Sequence, residues 1–342
     1  MRIFFVKKTV ALILCTLTAL VSITASVLFI PEPITSVDSD NIQHSYIKWI
    51  EFNATADAMT HALEYDIKSQ EQEVKLHWIE LLAYIAAKYG GNFEQYEKSD
   101  MDSLATSLKD GKTIEELTAD MKYYNFYYEG YTAILGGMVG NYEIETEQDG
   151  VKTIVRKYGL KTYSPIARGY AFAHYDDFGN SRSYGFKRSH LGNDLMGSIG
   201  TPIVAVESGV VEALGWNQYG GWRIGIRSMD GYRYYYYAHL RKDRPFHNSL
   251  YIGKIVTAGD VIGYLGMSGY STKENTNNIE IPHLHFGIQI IFDESQKDGN
   301  NEIWIDAYDI VEFLQQNKSY VAKGENGDFD RVYKMTDPAI YE

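Results

Sequence analysis

The chain has 342 residues, 45% of them hydrophobic, and a formal net charge of −13. That balance excludes a disordered chain, and it excludes a nucleic-acid partner held through phosphates, which needs an excess of Lys and Arg. Cys15 is the only cysteine, so no disulfide forms within the chain and its stability rests on packing.

Arg2, Lys7 and Lys8 precede an uncharged apolar run over 9–30. At about 1.5 Å per residue such a run spans a hydrocarbon core of roughly 30 Å. The basic flank is N-terminal, which predicts a cytoplasmic segment 1–8, a single transmembrane helix over 9–30 and the remainder outside. A cleaved signal peptide is the competing reading, because Ser22, Thr24, Ala25 and Ser26 are small enough for a peptidase. The run exceeds the roughly 7–15 residues of a signal peptide's apolar region, which favours the anchor. The bulk of the chain is exported on either reading. Cys15 lies inside the run and reads as an ordinary apolar residue.

Residues 31–45 mix Pro, Ser, Thr and Asp without periodicity and read as a linker. Over 46–140 the pattern is helical. Val74, Trp78, Leu81, Leu82 and Ile85 recur at three- and four-residue steps, and Gly90-Gly91 supplies a stop. Thr113-Ile114-Glu115-Glu116 reads as a capping box, and the aromatic stretch 123–131 as a further helix. This region is a small helical domain of unassigned role. Glu80 has no partner carboxylate, where glycoside hydrolysis uses a pair, so it reads as part of a solvated helix face. His61 and His77 read as surface or core histidines.

After a connecting segment over 141–165 the period changes. Short β-branched or aromatic segments over 203–211, 222–227, 232–239, 261–266 and 284–292 are separated by Gly, Asn and Asp turns. No crossover-length helical pattern lies between them, so antiparallel pairing is expected. Residues 304–314 read as one terminal helix, and 316–342 as a polar tail. The fold class is therefore α+β.

Two motifs carry chemistry, His190-Leu191-Gly192-Asn193-Asp194 and Pro282-His283-Leu284-His285-Phe286-Gly287. Together they hold three metal-ligand side chains and a spare histidine, and a hydrolytic zinc uses three protein ligands with a fourth position open. On a strand His283 and His285 share a face while Leu284 and Phe286 take the other. One imidazole then ligates and the other reaches past the metal. Gly192 and Asn193 favour a compact loop between His190 and Asp194. His239 ends a tyrosine-rich strand, and counting by twos places it on the face of Tyr235 and Tyr237.

These residues, with Gly200-Thr201-Pro202-Ile203, Gly209-Val210-Val211, Tyr237-Ala238-His239-Leu240 and Val261-Ile262-Gly263 in this order, resemble the lysostaphin-type (LytM-like) zinc endopeptidases of bacterial peptidoglycan. The resemblance covers about 184–292 and implies an antiparallel β-sheet peptidase domain, placed here at 166–315. It implies that His190, Asp194 and His285 bind one Zn2+ ion, and that His239 and His283 flank the attacking water as the catalytic pair. Tyr184 is a candidate oxyanion or substrate contact near the groove mouth. The chain departs from the family pattern in an Asn- and Glu-rich insertion over 273–281, which should reshape the groove. The connection over 241–251 is also enlarged, and its His247 reads as a loop residue.

The resemblance thus implies a zinc endopeptidase cutting the stem or cross-bridge peptides of peptidoglycan, and the N-terminal run places it at the bacterial cell membrane with its C-terminal domain on the wall side. If the N-terminal segment is cleaved, the protein is secreted. The expected partners are peptidoglycan, the membrane through the N-terminal helix, and an envelope protein complex through the helical domain, with no nucleic acid. The alternative is a non-catalytic scaffold or regulator on the same fold. A second wall hydrolase in the helical domain is a third reading.

Overall fold

The computed structural model describes residues 46–183, 187–299 and 301–341. The expected transmembrane run over 9–30 and Tyr184 lie outside the described residues. Among those described, no helix is long and apolar enough to cross a membrane.

Five helices come first: α1 (Ala56–Ser69), α2 (Trp78–Tyr89), α3 (Lys98–Lys109), α4 (Ile114–Thr118) and α5 (Tyr124–Leu135). The expected stop is present, since Gly90 caps α2 in the left-handed region at φ 62°. So is the capping box, with Thr113 Oγ1 accepting from Glu116 N at 3.2 Å and Glu116 Oε2 accepting from Thr113 N at 3.0 Å. Glu80 is half-buried rather than solvated, and burial raises its carboxyl above the ordinary range.

Strands β1 (Val139–Gln148) and β2 (Val151–Leu160) form a hairpin where a connecting segment was expected. In β1 the charge falls on one face, at Glu143, Glu145 and Glu147, but β2 places Lys152 and Arg156 on one face and Lys157 on the other. Most of both strands is exposed or only partly buried, which blurs the alternation that marks a half-buried strand. The short strands β3 (Ala173–His174), β4 (Ser181–Ser183) and β5 (Lys187–Ser189) lead to β6 (Asn193–Met196) and β7 (Pro202–Val204). Next come β8 (Gly209–Asn217), β9 (Gly221–Ser228), β10 (Arg233–Ala238), β11 (Ile255–Val256), β12 (Val261–Tyr264) and β13 (His283–Ile290). The expected segment 203–211 is thus two strands, interrupted between Val204 and Gly209.

The principal sheet has the order β11-β8-β9-β10-β13-β6-β3 and is antiparallel throughout. Strand β14 (Ile303–Ile305) pairs with the far half of β13. The expected terminal helix is shorter than 304–314: Trp304 belongs to β14, and α6 covers Tyr308–Leu314. The tail expected to be merely polar contains β15 (Val321–Lys323), β16 (Phe329–Arg331) and β17 (Met335–Thr336), the last pairing with β1.

One face of the sheet is the core. Tyr235, Tyr237, Leu284, Phe286 and Ile288 are each 0% exposed, and burying side chains of this size contributes about 1.5–3 kcal/mol apiece. The same cluster of buried residues continues into the helices, where Trp78 of α2 stacks on Phe313 of α6 at 5.8 Å. A buried Arg233 joins helix to sheet, donating to the Ala133 carbonyl of α5 and pairing with Glu207 at 2.8 Å. With this face filled, the opposite face of β13 is left for the functional residues.

Candidate metal centre

Alternation along β13 separates its residues as the sequence predicts. Leu284 and Phe286 enter the core, while His283 and His285 both approach Asp194, at 3.7 and 3.2 Å from its Oδ1. Antiparallel register sets Asp194 of β6 directly opposite His285. Asp194 therefore sits on a strand, and only His190 lies in the preceding loop. The loop reaches His285 because residue 192 lacks a side chain: a Cβ there would lie 2.6 Å from the Phe286 carbonyl oxygen and 2.8 Å from the His285 ring.

Three donor atoms converge. His190 Nε2 is 3.1 Å from Asp194 Oδ1 and 2.8 Å from His285 Nδ1, which is 3.2 Å from Asp194 Oδ1. Among the described residues this is the one cluster of three such side chains within metal-ligand reach.

His239 also reaches the site, but from a different starting point than counting by twos implies. Tyr235 and Tyr237 point into the core, so a continued strand would bury His239 with them. Strand β10 ends at Ala238, and His239 takes φ 60°. The left-handed turn swings the imidazole to the other face, 4.9 Å from the His283 ring by centroids. Its backbone N–H is held by the Gly220 carbonyl at 2.7 Å. Tyr236, which sequence reasoning passed over, is the β10 residue that faces the site, its ring 5.8 Å from that of His285.

Hydrogen bonds to main-chain carbonyls fix the tautomers. The Nδ1–H groups of His190, His239 and His283 donate to the carbonyls of Asp177 at 3.0 Å, Ser268 at 2.9 Å and Ile281 at 2.7 Å. In each ring Nε2 is thereby the nitrogen turned inward.

Two residues absent from the sequence reading complete the surroundings. Asp177 Oδ1 accepts from the Asp194 backbone N–H at 3.3 Å, and its Oδ2 lies 3.3 Å from His190 Nδ1. Arg182 bridges Asp177 at 2.6 Å and Asp194 at 3.3 Å. No periodicity marks either residue, and only the fold brings them to His190.

The electrostatics follow from burial and these partners. Burial alone lowers the His190 pKa, but hydrogen bonds donated to the Asp177 and Asp194 carboxylates outweigh it and push the value up to about 9. Asp194 is half-opposed in the same way: burial raises its carboxyl, while His190 and His285 together hold it far below the usual range. Burial keeps His239 well below the ordinary imidazole value, reinforced by His283 and His285. Burial likewise lowers His285.

The five residues line a groove of about 590 Å³. Asn278, Ile279, Glu280 and Ile281 of the insertion form part of its wall, so the insertion does border the site. His247 lies elsewhere, bonded to Ser249 at 2.8 Å and beside Asp330 at 3.3 Å. His61 bonds Tyr96 in the helical layer, and His77 is exposed there.

The protein is thus a mixed helix and antiparallel-sheet fold with a His-Asp-His cluster that could hold a metal ion in an open groove. Residues 188–300 match the model of peptidase family M23. Over 124 residues, 36% of this chain and 36% of the relative, it is 40% identical to the L-Ala–D-Glu endopeptidase of Bacillus subtilis strain 168. It is 40% identical over 98 residues to lysostaphin of Staphylococcus staphylolyticus, covering 28% of this chain and 18% of that one. The matched stretches thus span well under half of these relatives. A crystal structure named for a glycyl-glycine endopeptidase, lytM, from Ruminococcus gnavus ATCC 29149 resembles the fold with a TM-score of 0.52 at 22% identity. That likeness covers 80% of this chain and 92% of the other.

Proposed function

We propose that the protein is a zinc-dependent endopeptidase that hydrolyses peptide bonds in the stem or cross-bridge of bacterial peptidoglycan. The carrying observation is the convergence of His190 Nε2, Asp194 Oδ1 and His285 Nδ1, with separations of 2.8–3.2 Å. Tetrahedral zinc with bonds of about 2.0–2.1 Å places neighbouring donors about 3.3 Å apart, so the donor set fits. The hydrogen bond from His190 Nδ1–H to a main-chain carbonyl is the support that zinc-binding imidazoles use. The family match over 188–300 and the peptidase names of the relatives support the same reading.

His190, Asp194 and His285 would hold the ion. The chemistry a bound zinc supplies is Lewis acidity, which polarises a carbonyl and brings the pKa of water toward about 7. The remaining work falls to His239 and His283. Both turn Nε2 toward the site, with their rings 4.9 Å apart by centroids. One ring takes the proton of the attacking water and later passes it to the leaving amine. The other aligns with the scissile carbonyl oxygen and stabilises the developing negative charge. Tyr184 is kept as a proposed contact at the groove mouth.

For location, the basic residues before 9–30 support membrane anchoring with the domain on the wall side, and cleavage of that run would make the protein secreted. The helical region offers a surface for an envelope complex. No observation favours the scaffold reading, because both flanking histidines accompany a complete donor set.

Metal analysis of the purified protein should find one zinc per chain, and wall material should be degraded. His190→Ala and His285→Ala should abolish both. Full activity in both variants would refute the assignment.

A further inference from the structure

Beyond His285 the groove opens into a second pocket of about 270 Å³ that shares Arg188, Tyr236 and His285 with it. Tyr236 is the partition between the two, with His285 at 5.8 Å on one side and Trp304 at 6.1 Å on the other. Arg188 and Arg223 both line the second pocket.

Neither guanidinium is saturated. The Nε–H of Arg188 and that of Arg223 are buried and meet no acceptor among the described residues. Arg188 is held in place by Nη2 donating to Tyr270 Oη at 2.6 Å and by the faces of the Tyr219 and Tyr270 rings. A buried charged donor left unmatched costs about 1–3 kcal/mol or more, and a planar carboxylate offers the two acceptors that a guanidinium edge takes.

The charges along the pocket are graded. At the far end Lys297 is bound to Glu212 at 2.8 Å, and Glu302 accepts from Trp304 Nε1 at 2.6 Å, with Asp298 beside them. At the near end the charged groups acting on the Tyr236 hydroxyl are Arg223 and Arg188, which oppose the rise that burial imposes on it. The near end is therefore cationic, and the acids at the far end disfavour a dianion such as phosphate.

We propose that this pocket is a carboxylate subsite, in which Arg188 and Arg223 receive a free carboxylate carried by the peptide substrate next to the bond presented to the metal centre. This rests on the peptidase reading. It makes Arg223 a specificity residue: the enzyme takes acidic stems and discriminates against stems in which that carboxyl has become a carboxamide.

The test uses two matched wall-peptide fragments that differ only in a carboxyl or carboxamide beside the candidate bond. Their binding is measured calorimetrically to the whole chain carrying His239→Ala, with and without Arg223→Gln or Arg188→Gln. The carboxyl form should bind roughly ten- to a hundredfold more tightly, as expected for hydrogen bonds to a charged group. Either arginine substitution should reduce that preference to within about threefold, because it weakens the carboxyl form more than the carboxamide form. Equal binding of the two fragments, or a preference that survives both substitutions, would overturn the subsite. Cleavage of the same fragments by the unsubstituted chain is scored separately: a binding preference without any cleavage upholds the subsite and refutes the peptidase reading.

Discussion

Replacing Asp177 by Ala leaves the carbonyl that receives His190 Nδ1–H and removes the carboxylate beside it. The pKa of His190 stands at about 9 against an ordinary 6.5, a difference of about 3 kcal/mol at 1.36 kcal/mol per pH unit. Asp177 and Asp194 share that effect, so Asp177 accounts for roughly 1–2 kcal/mol, or about five- to thirtyfold. Loss of a partner of this kind typically lowers metal affinity ten- to a hundredfold. The same carboxylate also strengthens the proton that competes for His190 in the metal-free protein. At pH 7, two units below about 9, that proton costs the unsubstituted protein roughly a hundredfold in apparent affinity, and the variant about tenfold. The deficit of Asp177→Ala should therefore be small at pH 7 and about tenfold larger at pH 10. Competition for zinc against a chelator of known affinity, run at both pH values, measures it. A deficit of equal size at the two values, or none at pH 10, would refute the argument.

Other consequences follow from the same geometry. His239→Ala should keep its zinc while losing roughly a hundred- to ten-thousandfold in kcat, as loss of a general acid-base group does, and metal analysis beside a turnover assay distinguishes this from the zinc loss expected of His285→Ala. Gly192→Ala should drive the loop off His285, costing about 1–3 kcal/mol by overpacking and lowering zinc occupancy, read by thermal melting and metal analysis. In the metal-free protein, His190 contributes stability that is full below pH 6.5 and is lost as pH rises toward about 9. His239 and His285 are held neutral, so stability falls as pH drops below 6.5 and the unfolded chain takes up protons. These three groups together give a melting temperature that peaks near pH 6.5, and a monotonic profile across pH 5–9 would contradict the assigned shifts.

The local devices of this chain are legible in its sequence where a single period or cap decides the outcome. Alternation alone separates His283 and His285 from Leu284 and Phe286, and the Thr113–Glu116 pair announces its own helix start. His239 is not legible in that way, because its position depends on one left-handed backbone angle after Ala238. Asp177 and Arg182 are recognisable only once β4, β5 and the loop before β6 are assembled around His190. The β1–β2 hairpin is hidden by its exposure and by the charge on both faces of β2, and its partner β17 lies almost two hundred residues away, beyond any local pattern.

The central claim is tested most directly by mass spectrometry of purified peptidoglycan after exposure to the zinc-loaded protein and to the same protein stripped by a chelator. The account predicts fragments with newly formed amino and carboxyl termini within the stem or cross-bridge peptide, produced by the zinc-loaded protein and absent after stripping. Unchanged peptides, cleavage confined to the glycan, or equal cleavage after complete metal removal would contradict it.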